Sequence, residues 1–249
     1  MREIQSRTGL AVRTFTPERP AGLPPVLLVH GFGSHGRQDW VDTGIAAALA
    51  DAGREVFAPD LCGHGDSPAP ASAAAAGAPA LAAELVAVLD EAGVTEFDVV
   101  GYSLGARLSW ELPAAAPGRV RRTVLGGLGP GEPFEAVDVP ALHRAVAGDA
   151  EPADPFTAMI AGMIGAHGDR AAGLAVCVEG LRATPFAPRS WAGSTPPLFV
   201  VGADDMMTRG IERVVALAEG AELVTVPGQH HEVLAGEAFR RTVLEALAG

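Results

Sequence analysis

The chain has 249 residues, is rich in aliphatic side chains, and sets 18 basic against 30 acidic residues for a formal charge of −12. That length suffices for one sizeable core, and an acidic surface without a basic cluster argues against nucleic acid or an anionic membrane as partner, since either needs counter-charge. All 18 basic residues are arginine, so Schiff-base chemistry and a Walker-type phosphate loop, both of which need a lysine, are excluded.

Residues 1–7 carry charges where a signal peptide needs its apolar stretch, and no later apolar run is long enough to span a bilayer, so a cytoplasmic protein is expected. Val26–Val29 and residues 55–58 are short apolar runs ending in loops rich in Gly, His and Asp, as strands buried on both faces of a parallel sheet do. Between them, residues 44–52 predict a helix stopped by Gly53. Residues 68–80 are rich in Ala, Pro and Gly and predict a surface loop. From Pro79, the spacing of Leu81, Leu85, Val88 and Leu89 predicts an amphipathic helix that ends at Gly93.

Phe97, Asp98, Val99 and Val100 form the next strand, and Ala106, Leu108, Leu112 and Ala116 the helix after it. Residues 120–125, 197–201 and 223–226 are strand-like, with helical patterns at 211–217 and 238–247. Such alternation implies right-handed crossovers, a parallel sheet with helices on both faces, and ligands at the carboxyl ends of the strands. Residues 128–190 break the alternation. They hold an apolar helical stripe at Phe156, Met159, Ile160, Met163 and Ile164 and a second helix over 171–181, and so predict a cap above the strand ends within a single domain. The stripe, with Phe156, Met159 and Met163 foremost, is expected to line a substrate pocket; the alternative is that it packs only on itself.

Between the strand at 97–100 and its helix stands Gly101-Tyr102-Ser103-Leu104-Gly105. A Gly-x-Ser-x-Gly run in that context holds its serine in a strained turn, with glycines where side chains would strike the neighbouring strand and helix. A serine hydroxyl is a weak nucleophile and needs a base within hydrogen-bond reach, itself oriented by an acid. Acid candidates, Asp204 and Asp205, follow the strand at 197–201; base candidates, His230 and His231, follow the strand at 223–226. The chain order Ser, Asp, His is the one expected of the α/β-hydrolase arrangement.

On these residues, together with His30-Gly31-Phe32-Gly33 and Asp60-Leu61-Cys62-Gly63-His64-Gly65-Asp66-Ser67, the chain resembles the α/β-hydrolase family over essentially its whole length. The resemblance implies a mostly parallel, doubly wound sheet with a helical cap inserted before the last two core strands. It further implies Ser103 as nucleophile, His231 as base, Asp205 as acid, and an oxyanion hole at the backbone N–H groups of Phe32 and Leu104. Its Gly-x-x-Asp and Pro-Gly-x-x-His spacings favour Asp205 over Asp204 and His231 over His230. Cys62 departs from the family's usual Arg or Pro.

The activity implied is cofactor-free, metal-free hydrolysis of a small-molecule carboxylic ester, thioester or lactone. Carbon–carbon bond hydrolysis, peracid formation and a non-catalytic receptor are the alternatives. Dehalogenase and epoxide hydrolase chemistry are disfavoured, because the resembling enzymes use a carboxylate at the position of Ser103. Elsewhere, His30 and His64 are expected to brace loops, His35, His143 and His167 to face solvent, Asp60 and Asp66 to hold turns, and Trp40 and Trp191 to pack in the core or line the pocket. Cys62 and Cys177 are expected as free thiols.

Overall fold

The computed structural model describes residues 1–248. Among them, eight strands form one sheet in the order β1-β2-β4-β3-β5-β6-β7-β8. The strands are β1 (Arg2–Gln5), β2 (Ala11–Phe15), β3 (Val26–Val29), β4 (Val56–Pro59), β5 (Phe97–Tyr102), β6 (Val120–Gly126), β7 (Leu198–Gly202) and β8 (Glu222–Val226). From β4 to β8 every pairing is parallel, while β1 and β2 add an antiparallel ribbon at one edge. Four crossover helices follow the expected alternation: α1 (Ile45–Asp51), α2 (Ala78–Glu91), α3 (Leu104–Ala115) and, after the cap, the short α7 (Glu212–Val215). The cap holds α4 (Val139–Ala147), α5 (Pro155–Gly165) and α6 (Ala171–Ala183), and the chain closes with α8 (His230–Ala235) and α9 (Glu237–Leu247).

Alternation along the central strands divides the core. Leu27, Val29, Val99, Leu125 and Phe199 face α2, α3 and the cap helices, whereas Val26, Leu28, Val100, Val124 and Val200 face α1, α8 and α9. Trp40 and Trp191 belong to these clusters: Trp40 is fully buried, and Trp191, partly buried, packs edge-on against Trp110 at 5.0 Å. The loop at 68–80 also departs from expectation. Pro70 and Ala76 are buried beneath α6, whose Gly180 admits the backbone of Ala73 and Ala76 where a β-carbon would stand 2.3 Å from the nearest atom. No helix among the described residues is long and apolar enough to cross a membrane.

Four elements were not anticipated. β1 is exposed along its whole length, and β2 carries Arg13 at its centre, so neither reads as an apolar run. The helix α4 begins at Asp138, whose carboxylate accepts the Ala141 N–H at 3.0 Å, and ends at Gly148 in the left-handed conformation. The fourth, α8, begins at the candidate base pair itself.

The N-terminal half of the parallel sheet is pinned by a buried carboxylate. Asp98 on β5 is fully buried and accepts from Arg54, from Arg121 Nε and Nη2 at 3.0 and 2.9 Å, and from the Arg122 N–H at 3.0 Å. Arg54, 1% exposed, also donates to the carbonyls of Pro24 and Leu247 at 2.8 Å, tying β4, β5 and α9 together. Replacing Asp98 with Ala strands this guanidinium without a counter-charge, so a loss of about 3–5 kcal/mol is expected in urea unfolding, the cost of breaking a buried pair.

Candidate active site

The strand β5 runs into α3 through a turn that only its glycines permit. Ser103 has φ 54° and ψ −115°, and it alone among the described non-glycine residues has positive φ. A β-carbon at Gly101 would stand 2.2 Å from the Gly105 carbonyl oxygen, and one at Gly105 1.9 Å from that of Val29. These contacts hold the start of α3 against β3 and lift Ser103 out of the sheet, half-exposed, while its N–H donates to the Gly126 carbonyl at 2.8 Å. Leu104 is the first residue of α3, so its N–H has no intrahelical acceptor and lies at the positive end of the helix dipole.

Opposite the serine, Gly31, Phe32, Gly33 and Ser34 form a tight turn, closed by the Ser34 N–H on the Gly31 carbonyl at 3.3 Å and admitting Gly33 at φ 71°. A β-carbon at Gly31 would stand 3.5 Å from Ser103 Cβ, so the turn lies directly against this serine. His30 fixes its orientation. The Leu61 N–H donates to His30 Nε2 at 2.8 Å, which leaves the ring proton on Nδ1, and that proton is donated to the Gly31 carbonyl at 2.7 Å. Because the Gly31–Phe32 peptide is trans, holding its carbonyl on one side turns the Phe32 N–H to the other. Burial pushes the pKa of His30 down to about 3, so the ring stays neutral and keeps this tautomer. His64 is held likewise, with its Nδ1 on the Cys62 carbonyl at 3.0 Å and its pKa lowered to about 3 by burial.

The acid and base loops meet at the same edge. Asp205 is 5% exposed; its Oδ1 accepts the Met207 N–H at 2.9 Å and its Oδ2 accepts from His230 Nδ1 at 2.7 Å, whereas Asp204 is exposed. The histidine that reaches the carboxylate is therefore His230, which corrects the expectation for His231. Spacing misled because α8 begins at this point. Gln229 is its N-cap and exchanges capping-box hydrogen bonds with Glu232. His230, the first helical residue, turns inward, and His231, about 100° farther round the helix, is exposed. Tyr102 donates its hydroxyl to the His230 carbonyl and supports the ring from below at 5.2 Å. With Nδ1 committed to Asp205, Nε2 is the free nitrogen. No hydrogen bond joins it to Ser103 among the described residues, and such bonds commonly tighten only once substrate is in place.

The cap stripe splits. Ile160 and Ile164 are buried in the core and Phe156 is half-buried against it, but Met159 and Met163 are 58% and 42% exposed. These five positions span an arc wider than the face that α4 and α6 cover, so the methionine edge is left outside. Two cap residues to which the sequence assigned no part in the site reach the Gly31–Ser34 turn: Phe134, which it did not name, and His167, which it expected to face solvent. Phe134 packs edge-on against Phe32 at 4.9 Å, and His167 Nε2 lies 3.1 Å from where a Gly33 β-carbon would stand, half-buried rather than solvated. A cleft of about 320 Å³ borders the Asp205 loop, but it includes neither Ser103 nor His230. Cys62 and Cys177 are free and buried, with burial pushing their thiols up to about 11 and about 12.

Known proteins share this fold. Residues 24–158 match the alpha/beta hydrolase fold family. Epoxide hydrolase A of Mycobacterium tuberculosis is 35% identical over 137 residues, covering 55% of this chain and 38% of that protein. The 2-hydroxymuconate semialdehyde hydrolase of Pseudomonas putida is 37% identical over 103 residues, 41% of this chain and 36% of that protein. The matched region thus spans well under half the length of these curated relatives. Among solved structures, the enol-lactonase from Burkholderia xenovorans LB400 superposes with a TM-score of 0.73 at 22% identity, covering 100% of both chains. An esterase from Exiguobacterium antarcticum does so with a TM-score of 0.74 at 18% identity, covering 99% of both. With the family match extending over more than half of its length, this chain belongs to the α/β-hydrolase fold family.

Proposed function

We propose that this protein is a serine hydrolase that cleaves a carboxylic ester, or a thioester or lactone, of a small molecule through an acyl-enzyme. The observation that carries the reading is the Asp205–His230 hydrogen bond at 2.7 Å together with a strained serine and the N–H groups of Phe32 and Leu104, which have no acceptor among the described residues. Ser103 Oγ attacks the acyl carbonyl while His230 Nε2 takes its proton. Asp205 holds the imidazole tautomer and offsets the charge of the imidazolium, and the N–H groups of Phe32 and Leu104 receive the oxyanion. His230 then protonates the leaving alcohol, and water, activated by the same nitrogen, releases the acid. Phe32, with Phe134 packed edge-on against it, offers an apolar wall for the substrate beside the methionine edge of α5.

The similarity to epoxide hydrolase A does not extend to its chemistry. A serine that opened an epoxide would form an ether, which water cannot release, whereas a carboxylate forms an ester that it can. Carbon–carbon bond hydrolysis is the second reading. It is favoured by the match to the semialdehyde hydrolase and uses the same three residues with a ketone as the electrophile.

Turnover of p-nitrophenyl esters of graded acyl length, measured beside a vinylogous diketone, decides between the two: ester turnover without diketone cleavage supports the first. Ser103→Ala is expected to lower ester kcat by at least about a thousandfold, the scale of losing a triad member, and to abolish labelling by a fluorophosphonate probe. Full activity in that variant would end the serine-hydrolase reading. His230→Ala and Asp205→Asn should each lower kcat by at least about a hundredfold, with His231→Ala and Asp204→Asn within about threefold of wild type. The reverse ranking of the two histidines would mean that α8 rearranges when substrate binds. Cys62→Ala keeps all three residues and is expected to retain most activity.

A further inference from the structure

One buried carboxylate near the nucleophile has no part in the steps above. Asp39 lies in a π-helical turn, Arg37–Val41, and is 4% exposed. Its own backbone is fixed on both sides: its N–H donates to the His35 carbonyl at 3.1 Å, and its carbonyl accepts the Thr43 hydroxyl at 2.7 Å. Its side chain reaches back to the oxyanion turn. Oδ2 accepts the Gly31 N–H at 2.9 Å, and Oδ1 accepts the Ser34 hydroxyl. No arginine pairs with it among the described residues, although Asp60 and Glu132 each have one and Asp98 has two. Burying a carboxylate without a cation is costly, and burial raises its pKa accordingly. In place of a counter-charge, this one holds two points of a single turn.

Those two points enclose the donor. Gly31 is gripped at its N–H by Asp39 and at its carbonyl by His30, and Ser34 closes the turn on the far side of Phe32. Glycine has the widest backbone freedom of any residue, so the turn that lies within van der Waals reach of Ser103 Cβ gains no stiffness from its own first residue. Rigidity must therefore come from outside the turn. We propose that Asp39 is a positioning residue of the oxyanion hole, holding the Gly31–Ser34 turn so that the Phe32 N–H meets the acyl oxygen as negative charge develops on it. This rests on the serine-hydrolase reading given above. A donor displaced by about 1 Å can cost on the order of a hundredfold in rate while leaving ground-state binding little changed.

The test compares wild type with Asp39→Ala, Asp39→Asn and Ser34→Ala in p-nitrophenyl butyrate hydrolysis, inhibition by an alkyl boronic acid, and thermal unfolding. Asp39→Ala is expected to lower kcat about a hundredfold with KM within about threefold, and to weaken the tetrahedral boronate adduct by a similar factor. An asparagine can accept the Gly31 N–H and donate to Ser34, so Asp39→Asn is expected to recover most of that loss. A folded alanine variant with wild-type kcat would overturn the proposal. So would an asparagine variant as slow as the alanine one, because charge and not geometry would then carry the effect. If the alanine variant does not fold, Ser34→Ala decides: kcat lowered about fivefold at an unchanged melting temperature supports the role, and unchanged kcat overturns it. Failure of wild type to turn over any ester in a Ser103-dependent way would remove the hydrolase reading itself, and the proposal with it.

Discussion

Everything at the catalytic edge depends on how closely α3 approaches β3. The Val29 carbonyl occupies space that a β-carbon at position 105 would need, and the Gly105 carbonyl does the same to position 101. β3 and β5 are neighbours, with Val29 paired to Gly101, so one contact sets two things. It turns the chain sharply enough to present Ser103, and it fixes the distance from the serine to the His30–Ser34 segment that leaves β3 at the same level. The strain at Ser103 is local and is opposed by bonds on both sides, from its N–H to Gly126 and from the Arg107 N–H to its carbonyl.

Around this edge, buried charge acts as a set of staples, and the exclusive use of arginine suits the task. A guanidinium offers several fixed donors, so one side chain can serve a carboxylate and backbone carbonyls together. Arg13 joins β2 to Asp60 at 2.6 Å, and Asp60 in turn accepts the N–H groups of Gly36 and Asp66 at 2.8 Å. Arg107, one turn after the serine, bonds Glu132 at the entry to the cap and the Thr184 carbonyl at its exit, and Glu132 also accepts the Phe186 N–H at 3.3 Å. Both ends of the cap are thereby tied to α3, the helix that Ser103 opens. Such buried pairs add little net stability over apolar packing, but breaking one is expensive, so they fix which arrangement forms.

The parallel core was legible because each of its strands is a short continuous apolar run and each crossover helix repeats at helical spacing, as with Val26–Val29 and the leucines of α2. What escaped lacks those signals. β1 and β2 form an edge ribbon whose register pairs Arg13 with Glu3, and their polar side chains hide the strand. The helix α4 had readable caps in Asp138 and Gly148 but too few buried positions to draw attention. Spacing picked out Asp205, the carboxylate that reaches a histidine, because Gly202 to Asp205 is a single tight turn. It did not pick out that histidine, because α8 starts at His230, and a helix start decides which of two adjacent side chains faces inward. That signal was present in Gln229 and Glu232, three residues apart and able to cap one another.

The split of the cap stripe has a simple physical cause. An apolar arc on a helix says how much surface avoids water, not which neighbour covers it, and in α5 the neighbours cover only the isoleucine side. The cap meets the catalytic centre through Phe134, and it does so at Phe32, whose N–H is the proposed oxyanion donor. Phe32 also packs edge-on against His64 at 5.3 Å, and His64 is held by the Cys62 carbonyl in the loop after β4. One residue thus has its ring wedged between cap and core while its backbone belongs to the turn beside Ser103. In this arrangement a shift of the cap at Phe134 cannot leave the Gly31–Ser34 turn where it was.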